Sequence, residues 1–590
     1  MIDGVEKIKL RKTNMLDLKA KPFYLNREQE AWVKETLASM SEDEKIGQLF
    51  CPCLSAFDEA LIKHLVKDLK VGAVMLRPFE REPLEANIPA LQKQSKIPLL
   101  IAANLENGGN GAINDGTFFA NPLGCAATGE KINGYRLGKI GCCEAAAYGV
   151  NWAFAPIVDI DKNYHNPITN VRTFGENPET VLEFAREYIR AAKEENVLTT
   201  AKHFPGDGMD ERDQHLLVSV NSCDYSEWMN SYGMIYRSLI EEGIPTVMAG
   251  HISAPFVAKE LHALSEKEAM LPASQSGVLL TELLRKKFGF NGLIVTDSTL
   301  MVGYMQYLPR KEAIPKSIAS GADMILFNRS IDEDMTFMKE GLRCGIVTKA
   351  RLDEAVERIL AAKASLNLFR SDFGIKKNNL PEQVVKAWTR ECADKSVTLV
   401  KDGANFLPLD TKKSRRVYLN VIENAAENES PFALDIQRRL EREGFKVTLR
   451  KRKYDFDPAN LTLETITPEV NEALKETMCT TDEFVNNYDF AMIVLDMKTA
   501  SNATVVRVNW NVLFGMGNDI PWYAGEMPLV VVSVNNPYHL LDIPMARVYV
   551  NAYSDNAETL DAVFDKLMGR SEFKGISPVD AFCGKIDARQ

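Results

Sequence analysis

Long apolar runs are missing from this chain: none of its 590 residues falls in a stretch of about 20 apolar residues, the length that crosses a bilayer. No transmembrane helix is therefore expected. The N-terminal segment MIDGVEKIKLRKTNMLDLKAKPFYLN carries charge throughout and lacks the apolar core of a secretory signal, so a cytoplasmic protein is expected. Positive charge is also short: 70 Lys and Arg against 81 Asp and Glu leave a formal net charge of -11. No basic stripe offers to displace the counterions of a phosphate backbone, and neither a nucleic acid nor a membrane is an expected partner. The seven His show no metal-ligand spacing, and the ten Cys are scattered. The closest Cys pairs, Cys51 with Cys53 and Cys142 with Cys143, sit inside apolar runs, so the cysteines are expected to be reduced, buried small hydrophobes. NGGNG at 107–111 lacks the third glycine and the distant acidic partner of a dinucleotide fingerprint. No metal and no cofactor is implied, and there is no internal repeat or low-complexity tract.

What is present is the profile of a globular protein, 45% hydrophobic and 26% charged, too long for a single core. From residue 46 to about 328, eight short apolar runs alternate with segments of helical periodicity. They are IGQLFCP (46–52), VGAVML (71–76), PLLIAAN (98–104), NWAFAPIVDI (151–160), VLTTAKHF (197–204), TVMAGHI (246–252), GLIVTDS (292–298) and GADMILFN (321–328). Near-continuous apolar character fits strands covered on both faces, and eight strand-helix units fit a (β/α)8 TIM barrel. The expected organisation is an α/β chain with the barrel at 1–370, a linker at 371–385, and a smaller αβα sandwich at 386–590, whose strands include YLNVI, YDFAMIVLD, PLVVVSVNN and RVYVNAY. The stretch 451–485 is polar and gives no pattern.

In such a barrel, chemistry collects at the C-terminal strand ends. Asn104, Asp159, His203, His251 and Asp297 each close an apolar run there, and Asn104, Asp159 and His251 are expected among the substrate-binding residues. Asp297, in IVTDSTLMVG, is either a carboxylate turned toward the mouth or the N-cap of a following helix. Arg172, in HNPITNVRTFGENP, suits recognition of adjacent hydroxyls or a loop-pinning ion pair. Lys202 and His203 are neighbours on a strand and point to opposite faces unless a bulge or twist intervenes. After them comes a crowded polar loop, KHFPGDGMDERDQH at 202–215, which overhangs the mouth.

Taken together, KHFPGDG, the Asn- and Pro-rich segment before it and VTDS resemble glycoside hydrolase family 3 over essentially the whole chain. The resemblance implies that Asp297 is a catalytic nucleophile and that Lys202, His203 and Arg172 bind the sugar at the cleavage point. Asp213 and His215, in DQH, match the Asp-x-His pair of the family's β-N-acetylglucosaminidase branch, where the His is acid/base and the Asp orients it. One departure stands out: where the family often has Asp-x-Glu-Gly-Gly, this chain reads NLENGG, with Asn104 in place of the Asp. An Asn keeps hydrogen bonding but loses the charge, which opens the choice of sugar. The expected substrate is a small-molecule β-glucoside or β-N-acetylglucosaminide, cleaved with retention through a glycosyl-Asp297 intermediate. Because an imidazole does not repel an anion as a carboxylate does, the acceptor is water or inorganic phosphate, and a phosphorylase is the alternative. A sugar-binding protein without catalysis is the remote one.

Overall fold

The computed structural model describes residues 16–370 and 377–589, apart from 404, 426, 453–461, 463, 465, 469, 472–478, 499–500, 505–506 and 512–518. Two compact units emerge, one formed by Met1–Pro122 with Lys131–Val385 and the other by Leu123–Glu130 with Lys386–Gln590. The eight residues Leu123–Glu130, which the sequence assigns to the barrel, thus group with the second unit. Of the expected linker, 371–376 lie outside the described residues, and a helix Glu382–Ser396 already occupies its last positions.

The first unit is the barrel. Strand β1 is broken at Pro52 into Phe50–Cys51 and Cys53–Leu54, since a proline cannot donate to the ladder. It is followed by β2 (Ala73–Leu76), β3 (Leu100–Ala103), β4 (Trp152–Ala153), β5 (Leu198–Phe204), β6 (Thr246–Ala249), β7 (Leu293–Ser298) and β8 (Met324–Leu326). All pairings are parallel, and the two halves of β1 close the circuit: Phe50 is opposite Ile325 on β8 and Cys53 opposite Met75 on β2. The first run begins later than the sequence suggests. Residues 46–48 belong to a helix, Glu42–Gln48, whose capping box joins Ser41 and Glu44 and so outcompetes a β start.

Inside the barrel, the Trp152 indole donates to Thr200 at 2.9 Å and Thr246 at 3.1 Å, so the polar atoms of this layer are satisfied. At the N-terminal end, Asp323 is buried against Arg285 and Arg351, each at 2.5 Å, a stabilising cluster far along the strands from their C-terminal tips. Helix Pro178–Glu194, capped by Asn177, packs against β5, and the buried Tyr188 hydroxyl donates to the Leu105 carbonyl at 2.8 Å. That bond fixes the chain after β3, where Glu106 follows.

In the second unit the strands β9 (Thr398–Asp402), β10 (Arg416–Glu423), β11 (Lys446–Leu449), β12 (Phe490–Asp496), β13 (Leu529–Ser533) and β14 (Val548–Asn551) are ordered β9-β14-β13-β12-β10-β11. Only β9 runs antiparallel. Alternate residues feed separate cores on the two faces: Val417, Leu419, Val421, Met492 and Val494 on one, Tyr418, Ile422, Ala491, Ile493 and Leu495 on the other. This is the expected αβα sandwich. The unpatterned stretch 451–485 lies largely outside the described residues. All ten cysteines are free, as expected, but Cys344 is exposed and Cys53 and Cys479 half-buried, so the expectation of general burial fails at three positions. No helix among the described residues is long and apolar enough to cross a membrane.

Candidate active site

Asp297 occupies the C-terminal end of β7, and no helix begins there: the chain turns at Thr299 and Leu300 before a 3-10 turn, Val302–Met305. The N-cap reading therefore falls away. Its Oδ1 accepts from the Ser298 amide at 2.7 Å, and its Oδ2 lies 3.8 Å from His203 Nε2. Burial works against its charge, but His203, His251, His215 and the Ser298 amide outweigh that and hold the carboxyl below the usual range.

Lys202 and His203 both reach this cluster, because the β5–β6 register shifts between Ala201 and Phe204 as the strand ends. The His203 amide and Nδ1 donate to Asp159 at 3.0 and 2.7 Å, which fixes the tautomer and leaves Nε2 toward Asp297. Lys202 Nζ donates to Glu106 at 2.6 Å, and Arg172 grips the same carboxylate with two parallel bonds of 3.0 Å. Burial pushes the Glu106 carboxyl up, yet the two cations more than reverse this, and it is held far below its ordinary range. The ion-pair reading of Arg172 is thus realised, with a guanidinium that stays about a quarter exposed.

Glu106 is the residue that sequence reasoning misses. It stands two positions after Asn104 in NLENGG, in the very segment singled out for its altered first residue. The signal available was the charge demand of two cations: Lys202 in β5 and Arg172 in the 3-10 turn Asn170–Arg172 need a buried anion, and Glu106 is the carboxylate in the segment that follows β3. Asn104 itself sits half-buried at the end of β3.

The crowded loop now divides by task. Asp207 is buried and accepts from the Gly208 amide, Asn166, Gln214 and Ser219; burial first, and then Asp159, push its carboxyl up to about 6. Asp210 takes the Val220 amide at 2.8 Å and pairs with Arg212. Asp213, fully buried, accepts from both the backbone amide and Nδ1 of His215, at 2.8 and 2.7 Å. The ring therefore carries its proton on Nδ1 toward the carboxylate, and Nε2 is the nitrogen left to gain and lose a proton. His215 is a quarter exposed.

Between the pair, Gln214 is buried and holds two elements: its Oε1 accepts from the His251 amide at 2.9 Å and its Nε2 donates to Asp207 at 3.2 Å. The loop also grips the segment behind the nucleophile, since the Val302 amide donates to the His215 carbonyl at 2.8 Å and the Val218 amide to Gln306 at 2.7 Å. Gly303 must be glycine there, because a Cβ would lie 2.5 Å from the Gln214 carbonyl oxygen.

Two expected sugar contacts turn out otherwise. His251 is buried, its Nε2 donating to the Ser298 carbonyl and its Nδ1 accepting from Ser274, so both ring nitrogens are spent on support of the nucleophile's strand end. Asp159 is likewise buried, with Oδ1 taken by the His203 and Asp207 amides and Oδ2 by the His203 ring. Neither offers a free polar atom to the mouth. No group of three His, Cys, Asp or Glu that could hold a metal occurs among the described residues.

A family model described as "Glycosyl hydrolase family 3 N terminal domain" matches residues 41–362. The chain is 40% identical over 585 residues, covering 97% of this chain and 100% of the relative, to a beta-N-acetylglucosaminidase/beta-glucosidase of Cellulomonas fimi. A solved structure of "Beta-glucoside phosphorylase BglX" is similar at a TM-score of 0.87 with 42% identity, covering 97% of this chain and 99% of that one. A second, of the same protein bound to 2FGlc, gives a TM-score of 0.88 and 41% identity, with 96% and 99% covered.

Proposed function

The chain belongs to glycosyl hydrolase family 3, and from that premise we propose that it removes a single sugar from a β-glucoside or β-N-acetylglucosaminide by double displacement. One observation carries the reading: an ionised carboxylate at the tip of β7 shares the barrel mouth with an imidazole whose other nitrogen is fixed by a buried Asp. Asp297 attacks the anomeric carbon while protonated His215 gives its Nε2 proton to the departing oxygen, so the C–O bond breaks as the ester bond forms. His215, now neutral, takes a proton from the acceptor as that acceptor displaces Asp297. The buried Asp213 stabilises the imidazolium and holds the tautomer. Lys202, Arg172 and His203 bind the sugar hydroxyls, and Glu106 and Asp159 hold those three side chains in place.

Leaving-group dependence tests the reading. His215→Ala is expected to lose at least about 100-fold in kcat/KM on alkyl glycosides, which need the acid, and far less on dinitrophenyl glycosides, which do not. Equal losses on both would remove His215 from the acid role. Asp297→Ala is expected to be inactive on all substrates, and a 2-fluoro glycoside should label Asp297 in the wild type.

Phosphate as acceptor is favoured by a specific observation, the near full-length similarity to a protein named as a β-glucoside phosphorylase. It agrees with an acid/base that is an imidazole rather than a carboxylate. Incubation of an aryl β-glycoside with enzyme and millimolar phosphate should then raise the rate and release sugar 1-phosphate; free sugar alone would leave hydrolysis.

A further inference from the structure

The inner part of the mouth is lined by charged side chains, Lys202, Glu106, Arg172 and His203, but beside the dyad the chemistry changes. Leu217, Leu300 and Val302 are large aliphatic residues left 46%, 52% and 54% exposed. They are brought together because the loop of His215 and the segment behind Asp297 are tied to each other: the Val302 amide donates to the His215 carbonyl, and Gly303 lies against the carbonyls of Gln214 and Leu217. Leu217 stands two residues from His215 and Leu300 three from Asp297. Three half-exposed aliphatic side chains thus stand on two segments tied backbone to backbone, and together they leave apolar surface uncovered beside the dyad.

We propose that Leu217, Leu300 and Val302 form the leaving-group subsite, and that it takes an apolar aglycone, an alkyl or aryl group, in preference to a second sugar. The inference rests on His215 being the group that protonates the leaving oxygen, since whatever hangs from that oxygen must lie beside His215. A second sugar there would set its hydroxyls against side chains that carry no nitrogen or oxygen, while the backbone amide of Val302 and carbonyl of His215 are occupied by each other. An alkyl chain instead exchanges water for aliphatic contact.

The experiment measures kcat/KM for methyl, butyl and hexyl β-glycosides and for the β-1,4-linked disaccharide, in both the glucose and N-acetylglucosamine series. Each half-covered methylene is worth about two-fold, so the hexyl compound should exceed the methyl one by about ten-fold or more, and also exceed the disaccharide. In the triple variant Leu217→Ser/Leu300→Ser/Val302→Thr the hexyl-to-methyl ratio should fall to about one. Ile132→Ser, an exposed aliphatic on the helix Ile132–Ala146, should leave the ratio as in the wild type. Ratios are insensitive to the fraction of folded variant. A flat alkyl series, a disaccharide preference, or a ratio unmoved in the triple variant overturns the inference while the proposed chemistry stands. No turnover of any nitrophenyl glycoside in either series would overturn the chemistry itself.

Discussion

Glu106→Gln is expected to be among the most damaging single changes in the barrel, and its size follows from the charges around it. One carboxylate serves two cations, the Arg172 fork at 3.0 Å and Lys202 Nζ at 2.6 Å, and the Lys202 side chain is 3% exposed. Removing the negative charge leaves two positive groups facing each other without a carboxylate in direct contact; Asp159 and Asp297 act on Arg172 only from further away. Breaking a buried pair on one side costs about 3–5 kcal/mol; Arg172 can turn partly to water and Lys202 cannot, which argues for about 3 kcal/mol. In a barrel of this size that is a fall in Tm of about 5 °C or more. Urea titration followed by tryptophan fluorescence measures it, and the same substitution in a Lys202→Met background should cost about 1.5 kcal/mol less, because only the more exposed cation remains. The pH dependence has a definite sign. Since the native carboxyl is held below its unfolded value, its contribution is full above about pH 4.5 and declines as pH falls toward the depressed native value, so wild type and variant converge in acid. A variant within about 0.5 kcal/mol of wild type at neutral pH, or a gap that widens in acid, would refute the reasoning.

Two more predictions concern the loop. Gln214→Ala leaves the His251 amide without its acceptor and removes a donor to Asp207, at about 1–3 kcal/mol for the orphaned amide; kcat/KM on alkyl glycosides should fall by about ten-fold or more, with dinitrophenyl glycosides less affected, and equal losses would mean the loop merely unfolds. Asp207 titrates the other way from Glu106: its native carboxyl is pushed up to about 6, so its stabilising contribution is full below about pH 4 and is lost as pH rises to about 6. The stability of the wild type relative to Asp207→Asn should therefore drop by at most about 3 kcal/mol between those limits and then level off, as denaturation across pH would reveal; a constant difference would contradict it.

The barrel was readable because its strands are short, apolar and punctuated by polar residues at one end, and burial on both faces leaves no other pattern for them. The sandwich was readable for the same reason, apart from the stretch 451–485. What escaped was relational. Glu106 has no local mark; it matters through two cations that lie 66 and 96 residues further along the chain. Asp159 and His251 were read as strand ends, whereas β4 stops at Ala153 and β6 at Ala249 and both residues lie in the loops that follow; nor does position say whether a polar atom is spent on a neighbour or free for a ligand. The shared side of Lys202 and His203 depended on a register shift that strand periodicity cannot show. Gln214 is the clearest case: its neighbours Asp213 and His215 drew the reading, and the residue between them carries the loop.

Charge also decides when an anionic acceptor can enter. In the free enzyme Asp297 is ionised, and at about 4 to 5 Å its charge would cost a phosphate oxyanion about 3–4 kcal/mol at an effective dielectric near 20. On the proposed double displacement, formation of the glycosyl ester removes that charge. The Asp213 side chain is fully buried behind the ring that it orients, so on the side of the dyad the acceptor meets imidazole. On the phosphorylase reading the order of events follows from this change alone: phosphate should bind the intermediate far better than the free enzyme, giving ping-pong kinetics. Initial rates over a grid of glycoside and phosphate concentrations should yield parallel double-reciprocal lines, with competitive inhibition by phosphate only at concentrations about 100-fold above its KM as acceptor. Intersecting lines, or competitive inhibition in the range where phosphate accelerates turnover, would mean that Asp297 does not exclude the anion from the free site.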